Sequence, residues 1–350
     1  MIGQPLPPRL IDSRLASEWD YRLLNVLDNR LRAEWLPDDP PLPLDEYIQK
    51  WRNTPPFIDI PRWMIVSADG ISAVASGSVS LLHTGENAHL AWFAIGVLPA
   101  YRRQGLARRL LTLIADRAQR GGRRLLLTST NEGDPAGELF MRRLGAEVGQ
   151  QGHINQLALA DLEYSLLDRW LTEGAARAAS FEVGFWNATY PEDELPTIAA
   201  LHDLLNQSPR DGLDMEDQHI TPEQLRQMEQ SNRARSTVRW TLFARERGTG
   251  ALAGFTEVFW HPNRPALLSQ GVTGVFPAYR NQGLGRWLKA AMLDKVLHER
   301  PQVRSIRTGN ADSNAAMLTM NYQLGFKPYI ANTIWQVDLG AIRRYLAERP

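Results

Sequence analysis

One twelve-residue phrase occurs twice in this chain, and that repeat limits what the chain can fold into more than any other feature. Val97-Leu98-Pro99-Ala100-Tyr101-Arg102-Arg103-Gln104-Gly105-Leu106-Ala107-Arg108 returns as Val275-Phe276-Pro277-Ala278-Tyr279-Arg280-Asn281-Gln282-Gly283-Leu284-Gly285-Arg286, so Arg280 stands 178 residues after Arg102. An apolar segment runs into each copy and an amphipathic pattern runs out. Leu110, Leu113 and Ile114 follow Leu106 at helical spacing, and Trp287, Leu288, Ala291 and Met292 follow Leu284. Each copy is therefore a strand, a glycine turn and a helix. An interval of this size is too long for a solenoid unit and fits two domain copies. The 350 residues support the same count.

Glycine in the turn permits positive φ and lets a ligand approach the backbone closely. The unpaired N–H groups of the first helical turn, together with the helix dipole, make an anion site suited to a diphosphate. Neither copy has the Lys-Ser/Thr pair of a P-loop. Gly283-Leu284-Gly285 runs into Arg286-Trp287-Leu288, so it does not complete a G-x-G-x-x-G dinucleotide fingerprint either. Both copies fit R-x-x-G-x-G/A after a strand.

That pattern resembles the acetyl-CoA loop of the GNAT acyltransferase superfamily, and the resemblance covers most of both halves. It implies that turn residues hold the coenzyme A pyrophosphate: Val97, Arg102, Arg103, Gln104, Gly105, Leu106 and Ala107 in the first half. In the second half they are Val275, Arg280, Asn281, Gln282, Gly283, Leu284, Gly285 and Arg286. Downstream, Thr308-Gly309-Asn310-Ala311-Asp312-Ser313-Asn314 leads to Asn321-Tyr322-Gln323-Leu324-Gly325-Phe326. This is similar to the stretch that lines the pantetheine arm and thioester in that family, and it adds Asn310 and Asn314 to the CoA-binding set. The first half has a thinner version, with Asn131 ahead of Phe140-Met141-Arg142-Arg143-Leu144-Gly145. The tandem arrangement is similar to that of mycothiol-synthase-type acyltransferases.

The family often places a tyrosine four residues before that last glycine, as the acid that protonates the departing thiolate. Here Asn321 holds the place and Tyr322 comes one residue later, about 100° further round a helix. Met141 holds it in the first half. A thiol with a pKa near 8.5 leaves without obligatory protonation, so Asn321 and Tyr322 are candidates on which the reaction does not depend. The attacking amine, with a pKa near 10, does need a base. Glu257 is the leading one, a carboxylate interrupting the apolar run Gly254-Phe255-Thr256-Glu257-Val258-Phe259; the first half has Ser76-Gly77-Ser78-Val79 there. The acidic loop Asp214-Met215-Glu216-Asp217 lies where the resemblance puts the acceptor pocket, so Glu216 and Asp217 are candidate substrate contacts. A charge run of this kind also reads as a solvated loop.

Lys plus Arg equals Asp plus Glu at 39 each, which gives no electrostatic case for nucleic acid or an anionic membrane. No apolar run reaches the roughly 18–20 residues of a membrane helix, and Met1 to Leu10 lacks an apolar signal core. No His-x-x-x-His spacing or acidic cluster suggests a metal. With no cysteine there is neither a disulfide nor a cysteine to carry an acyl group, which favours direct transfer in a ternary complex. The expected setting is cytoplasmic, as a monomer or homodimer.

Along the chain, Ser13 to Trp35 reads as a helix capped by Ser13, and Asp45 to Arg52 as a second. Strands follow at 63–66, 73–82 and 90–97, then the first turn and helix, a strand at 125–128 and a helix at 135–144. Asp161 to Arg177 reads as a linker helix. The second half repeats the order: helix 195–205, a helix from the Thr221 capping box, strands 238–244, 252–260 and 270–275, then turn, helix, strand 303–308, helix and closing strand 335–339. The expected fold class is α/β (α+β), two tandem GNAT-like domains, each a mixed, mostly antiparallel twisted sheet flanked by helices. The expected boundaries are 1–160, a linker at 161–179, and 180–350. The first domain is expected to be degenerate and the second to catalyse acetyl transfer from acetyl-CoA to a primary amine of a small molecule. The alternatives are a non-catalytic acyl-CoA-binding or sensing protein and a peptide or protein N-acetyltransferase.

Overall fold

The computed structural model describes residues 3–348, apart from Ala178. In chain order the elements begin with β1 (Arg9–Ile11), α1 (Glu18–Ala33), α2 (Leu44–Arg52), β2 (Ile58–Asp59), β3 (Arg62–Val66), β4 (Ala73–Leu82) and β5 (Leu90–Val97). Next come α3 (Leu106–Arg120), β6 (Leu125–Asn131), α4 (Pro135–Arg143), β7 (Glu147–Ala158), α5 (Tyr164–Ala175), β8 (Phe181–Asn187), α6 (Leu195–His202) and α7 (Pro222–Ala234). The rest are β9 (Val238–Glu246), β10 (Leu252–Trp260), β11 (Leu267–Val275), α8 (Leu284–Glu299), β12 (Ser305–Ala311), α9 (Ala315–Gln323), β13 (Lys327–Asp338) and α10 (Leu339–Glu348). Two helix starts show the local chemistry. Ser17, not Ser13, caps α1, accepting from the Asp20 N–H, while the Ser13 hydroxyl is spent on Ile60 O. Thr221 and Gln224 make both bonds of the capping box that starts α7.

The chain divides into two units, and no single cut near residue 160 produces them. Unit 1 is Met1–Gln151, Arg210–Glu216 and Asn332–Pro350; unit 2 is Gly152–Pro209 and Asp217–Ala331. In unit 1 the strand order is β1-β3-β4-β5-β6-β13, with Asn332–Asp338 of β13 antiparallel to Leu125–Asn131 of β6. In unit 2 it is β7-β12-β11-β10-β9-β8, with Gly152–Ala158 of β7 antiparallel to Ser305–Ala311 of β12. Each half of the sequence thus supplies the last strand of the other half's unit. The segment expected to be a linker helix is no linker, since α5 packs Leu167 and Trp170 into the unit 2 core beneath α8. A fragment ending near residue 146, before β7 and without β13, would leave the long edge of β6 open. Such an edge pairs with other chains, so the fragment is expected to aggregate, and a peptide spanning 332–350 added in trans to restore soluble protein by size-exclusion chromatography.

Both sheets are antiparallel except at one place, where the strand before the glycine turn runs parallel to the strand after the next helix. There the partners soon part. β5 meets β6 only from Leu90 to Trp92, and β11 meets β12 only from Leu267 to Ser269. Beyond these pairs each sheet opens into a wedge. α8 covers one face of unit 2 with Leu284, Leu288, Met292 and Leu293, and α6 and α7 cover the other with Ile198, Leu201 and Leu225.

Candidate functional site

The two glycine turns are built alike. Gly105 and Gly283 adopt φ of 77° and 78° at the N-caps of α3 and α8, and the residues two before them, Arg103 and Asn281, are also left-handed at 64° and 60°. This double reversal aims the first helical N–H groups outward, the arrangement that receives an anion. Arg102 Nε donates to Val97 O at 3.0 Å and Arg280 Nε to Val275 O at 3.1 Å. The motif arginines therefore staple the turn to the strand end, and Glu34 or Gln207 holds each guanidinium from the far side. The turns differ in one respect: a Cβ on Gly105 would meet nothing, whereas one on Gly283 would lie 2.8 Å from the Arg177 guanidinium. Arg177 follows α5, outside any motif, and sequence reading passed over it.

Glu257 lies on β10 at a bulge. Thr256 pairs with Thr273 and Val258 with Gln270, so Glu257 faces both Gly271 and Val272 of β11. Bulges of this kind re-aim a side chain. A Cβ on Gly271 would come 2.8 Å from Glu257 Cγ, so glycine there is what gives the carboxylate its space. Gln270 Nε2 locks the bulge by donating to Glu257 O at 2.8 Å and Thr256 Oγ1 at 3.1 Å. Glu257 is 5% exposed and its Oε2 has no hydrogen-bond partner among the described residues. Burial pushes its carboxyl up to about 7, against the opposing pull of the Arg239 guanidinium and the Val272 N–H. Arg239 is itself held by Glu229 at 2.9 Å and stacks 3.6 Å from the Tyr190 ring.

Unit 1 puts different chemistry at the matching place, where Ser78 stands for Glu257 and pairs with Arg62 of β3. Ser76 accepts from Arg62 at 3.0 Å, and the same buried guanidinium bonds Asp28 at 2.6 Å and the Tyr47 hydroxyl at 2.7 Å. That site is a closed ion-pair network with no free carboxylate.

The structure distributes the other expected site residues unevenly. Asn321 is 1% exposed and bonded to Lys289 and Asn310, whereas Tyr322 is 43% exposed on the outside of α9. Asn314 caps α9 through the Met317 N–H, as Asp134 caps α4. Asn131 accepts from the Gly133 N–H in its own turn; by position in β6 and β12, Thr130 and not Asn131 matches Asn310. The acidic loop is not a free acceptor surface. Glu216 accepts from the Asn87 N–H at 2.6 Å and Asp214 from Arg124 at 2.7 Å, both within unit 1, while Asp217 falls in unit 2. A cavity of about 360 Å³ in unit 2 is lined by Thr189, Glu229, Asn232, Arg239 and Trp260. Arg226, Arg239 and the Tyr190 N–H take up both Glu229 oxygens, so this cavity offers a cation no free carboxylate. Among the described residues no group of three or more His, Asp or Glu is placed to hold a metal ion, and no helix is long and apolar enough to cross a membrane.

The Acetyltransferase (GNAT) family model matches residues 24–146, and no curated protein matches the chain. Among solved structures, a tandem GNAT protein from the clavulanic acid biosynthesis pathway, crystallised without AcCoA, has a TM-score of 0.76 at 27% identity. That likeness covers 95% of this chain and 99% of the other. A GCN5-related N-acetyltransferase from Sphaerobacter thermophilus shares the fold with a TM-score of 0.64 at 14% identity, over 95% of this chain and 96% of its own. A wedge-shaped sheet with a glycine turn at its open end is the architecture of an acyl-CoA-dependent acyltransferase. Residues 24–146 are matched by the GNAT family model, and the chain as a whole has the fold of a tandem GNAT protein.

Proposed function

We propose that unit 2 transfers the acetyl group of acetyl-CoA to a primary amine of a small molecule, by direct attack in a ternary complex. The observation that carries this reading is Glu257, a buried carboxylate with a free oxygen beside the unpaired edge of β11. From Val275 back to Gln270 that edge offers roughly 17 Å of extended backbone. A pantetheine arm hydrogen-bonded along it, with its diphosphate on the Gly283 turn, ends beside Gly271 and therefore beside Glu257. Arg177 adds a cation over the diphosphate. Glu257 takes the amine proton as nitrogen attacks the carbonyl carbon, and backbone N–H groups of the open edge polarise the carbonyl oxygen.

The family match falls on unit 1, so it does not favour unit 2; the division of labour rests on Glu257 against the Arg62–Asp28–Tyr47 network. Unit 1 keeps the turn without a base, which suits a binding or scaffold role.

A thiol-release assay with acetyl-CoA and a panel of amines tests the activity, and an assay in which CoA binds yet no amine gives turnover would instead support an acyl-CoA-binding protein. The base works only when ionised. With its carboxyl near 7 and Arg239, Tyr190, Thr241 and the Val272 N–H around it, the ascending limb of kcat/KM is expected to lie near pH 7. A flat profile between pH 6 and 8 would count against Glu257.

A further inference from the structure

A polar quartet lies buried on the β12 side of the unit 2 wedge. Lys289 of α8 is 2% exposed, and its Nζ donates to Asn321 Oδ1 on α9. Asn321 Nδ2 donates onward to Asn310 Oδ1 at 2.9 Å, and Asn155 of β7 donates to the same oxygen at 3.5 Å. The groups facing the ammonium are Asn321 from α9, Phe326 from the segment after it, and Asn310 and Asn155 behind Asn321 from β12 and β7. None of them titrates. Among the described residues Lys289 thus has no carboxylate partner, and burial alone draws its amine down to about 8. An ammonium buried without an anion is costly.

The fold does not require it. Counting from the starts of the matching elements, unit 1 carries Leu111, Met141, Thr130 and Trp335 where unit 2 carries Lys289, Asn321, Asn310 and Asn155. Leu111, Met141 and Trp335 form ordinary core, with the indole N–H donating to Thr130 Oγ1 at 2.8 Å. The same architecture therefore packs well with an apolar set, and unit 2 departs from it at all four positions together. The bonds run in one direction, from the ammonium through the Asn321 carboxamide to Asn310. That residue is half-buried on β12 beyond its last pairing with β11, and among the described residues its own amide N–H groups have no acceptor. Hydrogen bonds in series polarise one another, so the charge of Lys289 is felt at the wedge.

We propose that Lys289 is a positioning residue for the leaving group, acting through Asn321 and Asn310 to present positive charge to the coenzyme A sulfur as the C–S bond breaks. The inference rests on unit 2 using acetyl-CoA. The amine nitrogen bonds the acetyl carbon and its proton passes to Glu257. The C–S bond breaks with both electrons on sulfur, and the proton held by Glu257 returns to the thiolate directly or through solvent. The missing anion of the buried cation is thus the thiolate that the reaction makes.

The test reads the thiol of bound coenzyme A by thiolate ultraviolet absorbance against pH, in a chain whose first turn is blocked by Gly105→Val. The variants are the double change Lys289→Leu with Asn321→Met, which copies the apolar pair that unit 1 folds around, and Asn310→Ala on the half-buried end. In the parent the bound thiol is expected to ionise at least tenfold more readily than free CoA. Both variants should return it to the free value, lose tenfold or more in kcat and lose the alkaline limb near pH 8, and the double variant should hold CoA within about threefold of the parent affinity. CoA bound with the same thiol pKa in parent and variants overturns the inference and leaves the acyl-donor reading standing. No CoA binding by the parent overturns that reading and the inference with it.

Discussion

Replacing Glu257 by Gln is expected to remove about 10²–10⁴ of the turnover on the true acceptor, the range for loss of a positioned general base. The same change is expected to make the protein more stable. The folded carboxyl sits near 7 against a reference of 4.5, so the fold prefers the protonated form. Stability contributed by that preference is present below 4.5 and is lost as pH rises to about 7. At pH 8 the ionised carboxylate costs on the order of 3 kcal/mol, and a neutral Gln that still accepts from the Val272 N–H does not incur that cost. Thermal melts at pH 8 should therefore show the variant's unit 2 transition raised by on the order of 5–10 °C, with a much smaller gain at pH 5. Wild-type turnover together with an unchanged melt would remove Glu257 from both roles.

The second large effect separates the two turns. Gly105 and Gly283 have nearly the same backbone conformation, so an L-residue at either carries a similar strain of about 1–2 kcal/mol. Gly105→Val and Gly283→Val are thus a matched pair, with the difference between them reporting which turn holds the acyl donor. Gly283→Val is expected to raise KM for acetyl-CoA at least tenfold, displacing Arg177 as well as crowding the diphosphate, while Gly105→Val leaves steady-state kinetics within about twofold. Equal losses from both, read by thiol release, would end the assignment of catalysis to unit 2.

Much of this was legible in the residues. The offset repeat announced two units and two strand–turn–helix motifs, because a positive-φ glycine before an amphipathic run leaves a mark in any sequence. Glu257 was legible because a carboxylate in an apolar strand is out of place. Strands 73–82, 90–97 and 252–260 match the structure residue for residue, since turn residues such as Asp69-Gly70 and Thr84-Gly85-Glu86-Asn87 mark strand ends locally. Other features left no local mark. Arg177, Lys289 and Asn155 carry no motif. The Gly271 gap depends on a bulge, which is a matter of register between two strands. Glu216 looked free because the Asn87 N–H that holds it is 129 residues away in sequence.

The sequence by itself determined the duplicated fold, the glycine turns and the chemistry that a CoA diphosphate and an amine require. It did not determine which strand closes which unit. β7 and β13 are copies of one element, equally patterned for either edge, so no propensity distinguishes the pairing with β6 from the pairing with β12. Tertiary structure made that choice. By doing so it set Asn155, from the first half of the sequence, against Asn310 and Asn321 in unit 2, and Trp335, from the second half, in the core of unit 1. One repeat unit thus became a polar wedge and the other a packed core.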